Sequence, residues 1–95
     1  MPYIKPELRP EIEKELAPLM EFLEKKAKSG EYDQKILAAV LTYIIFKFLR
    51  KFYEEGKWYD KSDAEKVVNS AIDEFKRRFL HPYEDKKIQE NGDVF

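Results

Sequence analysis

The sequence predicts an all-α fold, three helices in an up-down-up arrangement with the second helix in the middle. Apolar residues recur at helical spacing in three separate segments. Asp33 and Ser62 stand where the second and third segments need an N-cap. Gly30 and Gly56 stand where the first two should stop. A chain of 95 residues fits a single domain that buries roughly 65 % of its unfolded surface. Its parts are an arm (1–8), a helical core (9–81) and a tail (82–95).

Pro2 and Pro6 favour extended backbone at and before each ring, so residues 1–8 read as an extended arm. The first helix is expected over about 9–28. Pro10 suits its first turn, and the charges of Glu11 and Glu13 suit its N-terminus. Ile12, Leu16, Leu19, Met20, Leu23 and Ala27 form one stripe. Pro18 cannot donate to the carbonyl four residues back, so a kink or a restart is expected there. Lys25, Lys26 and Lys28 suit the C-terminal dipole ahead of Gly30.

The second helix is expected over about 33–55. At 100° per residue, Leu37, Val40, Leu41, Ile44, Ile45, Phe48, Leu49 and Phe52 fill one wide arc, the expected core face. Ala39, Thr42, Tyr43, Phe46 and Tyr53 fill a second, mixed aromatic arc. Only Lys47, Arg50, Lys51 and Glu54 define a wet edge. A helix apolar over most of its circumference must be covered on more than one side. Arm, tail or another subunit can cover the second arc. A subunit contact is the preferred reading, because an aromatic patch of that size marks an interface.

The third helix is expected over about 63–80. Ser62 and Glu65 have the spacing of a capping box. Ala64, Val67, Val68, Ala71, Ile72, Phe75 and Phe79 form its apolar stripe, and His81-Pro82 should end it. The tail reads in two ways. Pro82 followed by Glu84 and Asp85 starts a short helix that Asn91-Gly92 stops, whereas Asn91-Gly92 between Ile88 and Val94-Phe95 is also a hairpin turn. The short helix is preferred.

Composition narrows the function classes. There is no cysteine, which removes disulfides, thiolate metal sites and thiol nucleophiles. Eighteen basic and nineteen acidic residues leave a net charge of −1, no field for attracting nucleic acid. Abundant Glu and Lys with only four uncharged amides (Gln34, Asn69, Gln89, Asn91) is the bias of proteins from hot environments. The longest apolar stretch, Ile36 to Phe46, is too short for a membrane span. The start Met1-Pro2-Tyr3-Ile4-Lys5-Pro6 lacks the pattern of a secretory signal, so a cytoplasmic location is expected.

No motif carries catalysis. His81 is the sole histidine, and it lacks a partner at metal-ligand or acid–base spacing, so it reads as a helix-end residue serving the last carbonyls. Glu11 with Glu15, and Glu21 with Glu24, lie one turn apart, as in helical nucleotide pyrophosphatases that hold Mg²⁺ on acidic pairs. The one Glu-x-x-Asp, Glu90 to Asp93, is broken by Asn91-Gly92, and Lys14 and Lys25 are placed to neutralise the pairs. No catalytic residue, metal ligand or cofactor is therefore assigned. Bases interleave with aromatics from Lys47 to Trp58, and Lys47, Arg50, Lys51, Lys57 and Trp58 are the candidate contacts to single-stranded nucleic acid.

The two ends carry a resemblance. Met1-Pro2-Tyr3-Ile4-Lys5-Pro6-Glu7 and the last fourteen residues, Pro82-Tyr83-Glu84-Asp85-Lys86-Lys87-Ile88-Gln89-Glu90-Asn91-Gly92-Asp93-Val94-Phe95, resemble a family of short uncharacterised prokaryotic proteins also found in bacteriophage genomes. The middle departs: Gly30-Glu31-Tyr32-Asp33-Gln34 stands where the family often has a Gly-Glu-Leu-Asn-Tyr-like stretch. The resemblance implies no catalytic residues, and it implies a phage- or provirus-related building block, virion-associated in that case. The expected function is a non-catalytic structural or protein-interaction module that forms a homo-oligomer. Ala39, Thr42, Tyr43, Phe46 and Tyr53 are its self-association residues. A nucleic-acid-binding accessory protein is the alternative, and an Mg²⁺-dependent nucleotide pyrophosphatase a remote one.

Overall fold

The computed structural model describes residues 4–94, and these are helical apart from short turns, with no strand among them. The predicted all-α class with three long helical stretches is what the chain forms. Its described residues fall into two units, 4–55 and 56–94.

In the first unit, Pro6–Leu8 form a 3-10 turn that runs into helix α1, Arg9–Lys28. The expected arm is thus extended only at its described start. Lys5 keeps the extended backbone required before a proline, while Pro6, with φ fixed near helical values, opens the turn. The Leu8 N–H donates to the Lys5 carbonyl at 3.0 Å, and Arg9 Nη2 donates to the Ile4 carbonyl at 3.1 Å. Residues 1–3 of the arm lie outside the described residues. Pro18 neither ends nor restarts α1, which is continuous through it. The position is exposed, so the carbonyl the ring leaves without a donor faces water.

Gly30 closes α1 with φ +81°, a conformation that only glycine adopts freely. The Tyr32 N–H reaches back to the Lys26 carbonyl at 3.0 Å, and the Tyr32 ring meets Phe22 edge-on at 6.4 Å between centroids. Helix α2, Gln34–Tyr53, begins where Asp33 was expected to cap it: Asp33 Oδ1 accepts the Ile36 N–H at 2.9 Å. Leu23 is buried, and Leu19, Leu37, Val40 and Ile44 are half-buried. Leu19 and Leu23 share one face of α1, and Leu37, Val40 and Ile44 share one face of α2.

The second unit starts earlier than Ser62 predicts. Helix α3 is Trp58–Phe75. Asp60 Oδ2 accepts the Lys57 N–H at 3.0 Å, and the Asp60 N–H donates to the Lys57 carbonyl at 3.0 Å, so the first turn closes before Ser62 is reached. Ser62 then lies inside the helix, its hydroxyl donating to the Tyr59 carbonyl at 2.8 Å.

His81-Pro82 does not end this helix, a second departure from expectation. A π turn, Lys76–Leu80, carries the chain into helix α4, His81–Asn91. The His81 backbone N–H donates to the Lys76 carbonyl five residues back. The wider turn accommodates a ring that would otherwise press on the Arg78 carbonyl. Glu74 accepts from both Arg77, at 2.6 Å, and Arg78, tying the π turn to the end of α3. Gly92, with φ +85°, stops α4. The tail is therefore the short helix and not the hairpin. Its Tyr83, Ile88 and Val94 are exposed. Phe95 lies outside the described residues.

Candidate interaction surface

Helix α2 carries most of the candidate residues. Its N-terminal half, Ile36 to Phe46, is free of charged side chains, and every cation after Lys35 falls at Lys47, Arg50 and Lys51. The expected core arc divides in two. Leu37, Val40, Ile44 and Leu49 are half-buried, whereas Leu41, Ile45, Phe48 and Phe52 are exposed, Phe52 to 71 %. The uniform core face expected from the wheel is therefore not observed. The physical reason lies in arc width: eight apolar positions span more of the circumference than one packed helix covers.

The four exposed residues form a straight stripe. Their spacing is four, three and four residues, the step that keeps side chains on one seam of a helix. That spacing was present in the sequence. It was hidden because the neighbouring positions are also apolar, which merged the stripe into a single broad arc.

The second arc is open over most of its length. Ala39, Thr42, Tyr43 and Phe46 are exposed, at i, i+3, i+4 and i+7 on one face. Thr42 Oγ1 donates to the Ala38 carbonyl at 2.8 Å. Its hydroxyl is thus occupied within the helix, and the arc is less polar than its composition suggests. Lys47 Nζ lies 6.0 Å from the Tyr43 ring centroid, a cation–π contact at the edge of the arc. Tyr53, the fifth residue assigned to this surface, is half-buried and does not share the openness of the other four.

The basic–aromatic set is split. Lys47, Arg50 and Lys51 line a shallow, open cleft with Glu54 and Glu55 at the C-terminal end of α2. Arg50 Nε donates to Glu54 Oε2 at 3.1 Å, so part of that positive charge is already matched. Lys57 and Trp58 belong to the other unit, at the start of α3. Trp58 is 81 % exposed there, and Lys57 Nζ stands 5.9 Å from the Tyr59 ring.

The acidic pairs on α1 are engaged locally where bonds are seen. Glu24 pairs with Lys28 at 2.7 Å, and that hydrogen bond holds the Glu24 carboxyl below its ordinary range and raises Lys28. Among the described residues, no group of three histidines or carboxylates converges on a point where a metal could be held. Among the same residues, no helix is long and apolar enough to cross a membrane.

Residues 1–94 match the family model described as a domain of unknown function, DUF6899. The chain belongs to the DUF6899 family. No curated protein and no solved structure matches it. The DUF6899 match takes in all four helices, so the open apolar surface of α2 lies within the family domain.

Proposed function

We propose that this DUF6899 chain is a non-catalytic structural module that associates with copies of itself, and that the Ala39, Thr42, Tyr43 and Phe46 arc of α2 carries part of that association. The observation behind the reading is the state of α2. Its apolar side chains stand open on two faces, and Leu23 is the only buried large apolar side chain among the described residues. Hydrophobic side chains left in water forgo roughly 1.5–3 kcal/mol each relative to burial, and contiguous patches of this kind mark protein contacts. The resemblance of the two chain ends to phage-associated proteins suggests a virion-related setting.

Absolute mass by light scattering after size exclusion, over a range of concentrations, tests the reading. The expected result is a stable oligomer, with Phe46→Glu giving a folded species of lower order. A strict monomer, or an oligomer unchanged by Phe46→Glu, counts against it.

The cleft lined by Lys47, Arg50 and Lys51 favours a second reading, an accessory protein that binds single-stranded nucleic acid. That reading requires oligonucleotide binding that weakens as salt rises. Absence of binding at low salt removes it.

A further inference from the structure

We propose that Pro82 and the π turn ahead of it form a register device, which rotates α4 so that Tyr83 rather than Pro82 continues the apolar face of α3. The device lies wholly within the second unit and does not depend on the self-association reading.

In an uninterrupted α-helix each residue turns by about 100°. Counted from Phe75, that rule places Ala64, Val68, Ala71 and Ile72 between about −40° and 60°, the middle of the apolar face. It also places Pro82 at about −20° and Tyr83 at about 80°. A continuous helix would thus set the proline in the middle of the face and carry the tyrosine off its edge.

The π turn reverses this. The His81 N–H donates to the Lys76 carbonyl five residues back, across Lys76–Leu80. A turn closed at five residues instead of four takes up one residue more, so everything after it is set back by about 100°. Tyr83 then falls at about −20°, in line with Phe75, and Pro82 falls at about −120°. The face runs on to Lys87, one turn beyond, whose Nζ lies 5.6 Å from the Tyr83 ring centroid. Phe75 and Phe79 stand at its start with ring centroids 5.1 Å apart.

Pro82 is what selects the wider turn. π turns are rare beside α turns, so the α alternative has to be disfavoured here. In that alternative the Pro82 ring presses on the Arg78 carbonyl and has no N–H to offer it. Glu74, which accepts from Arg77 and Arg78, is the other contact at this junction. Residues three and four apart also meet in an ordinary α-helix, so the Glu74 clamp suits both forms and does not choose between them.

Two readings test the device in the full chain. The first is the scalar coupling across the hydrogen bond of the His81 N–H, which names its acceptor. The second is a distance. Because the chain has no cysteine, Asp73→Cys/Asp85→Cys takes one nitroxide label on each side of the turn, and dilution with unlabelled chain restricts the distance to one copy. The two sites lie about 20° apart around the axis with the π turn and about 120° apart without it, at an axial separation of roughly 18 Å.

The wild-type coupling is expected to run to the Lys76 carbonyl. Pro82→Ala should move it to the Arg77 carbonyl and lengthen the label distance by roughly 2–6 Å. Glu74→Gln should leave both readings at their wild-type values. A wild-type coupling to Arg77 overturns the device. So does a Pro82→Ala chain that keeps the Lys76 bond and the short distance. Loss of the Lys76 bond in Glu74→Gln overturns it as well, because the carboxylate rather than the ring would then select the turn.

Discussion

The Asp60 carboxylate accepts the Lys57 backbone N–H at 3.0 Å, and this bond determines where α3 begins. Its partner bond, from the Asp60 N–H to the Lys57 carbonyl, closes the same turn. Asp60→Ala removes the cap and should cost about 1 kcal/mol. Residues 58–61 should then exchange their amide hydrogens faster, while exchange beyond Ser62 changes little. Thermal denaturation and residue-resolved hydrogen exchange check the two halves of the prediction.

Gly56 supports the same cap from the other side. A Cβ there would press first on the Asp60 Cβ and would stand 2.7 Å from Asp60 Oδ2, closer than atoms tolerate. Gly56→Ala must displace the carboxylate or the turn, at a cost of roughly 1–3 kcal/mol. Because the nearest atom is the Asp60 Cβ, the double variant Gly56→Ala/Asp60→Gly, which removes that atom, should lose less stability than the single losses of Gly56→Ala and Asp60→Gly added together. Strict additivity in that cycle would show that Gly56 acts apart from the cap.

The cap also shows how far the sequence could be read. Asp33 was legible because one acceptor precedes one clear apolar run, and it caps α2 as expected. At α3 the sequence offered Ser62, whereas the helix is capped at Lys57, whose N–H is accepted by the Asp60 carboxylate three residues on. The earlier start takes Trp58 and Tyr59 into the first turn. Pro82 misled for a different reason. A proline is expected to end a helix, yet a π turn widens the backbone ahead of it and lets the helix continue. Ala39, Thr42, Tyr43 and Phe46, the residues proposed for self-association, were legible as a face of one helix, since that depends on periodicity alone. The openness of Leu41, Ile45, Phe48 and Phe52 was not, because exposure depends on which helix packs where.

Pro18 offers a test of α1. The helix runs through it, but the ring lacks the N–H that would bond the Lys14 carbonyl, and the position is exposed. Nothing buried holds proline there. Pro18→Ala should therefore raise stability, by up to about 3 kcal/mol, the difference between the two residues in a helix interior. The unfolded chain gains entropy in the same change, which trims the benefit. A higher melting temperature with increased helical circular dichroism is expected, and a lower one would mean that the ring of Pro18 serves packing.

The turn between α1 and α2 should loosen in alkali. Lys26 pairs with Glu31, and its Nζ lies 5.8 Å and 5.9 Å from the ring centroids of Phe22 and Tyr32. The hydrogen bond to Glu31 is the main reason the Lys26 amine sits above its ordinary value. A raised amine means that the folded state holds the proton more tightly than the unfolded one. Its stabilising share is complete below the ordinary lysine value and disappears as pH rises through the raised one. Glu24 behaves in the opposite sense. Lys28 lowers its carboxyl, so that share is complete above the ordinary carboxylate value and disappears as pH falls through the lowered one. Between these limits the stability of this unit should be flat with respect to these pairs. Glu24 is exposed and Lys26 only half-buried, so the effects are small and best followed locally. The Cε chemical shift of Lys26 should titrate later than that of an ordinary lysine, and Glu31→Gln should return it to the ordinary value. A Lys26 titration that ignores Glu31→Gln would show that the ion pair does not hold the turn.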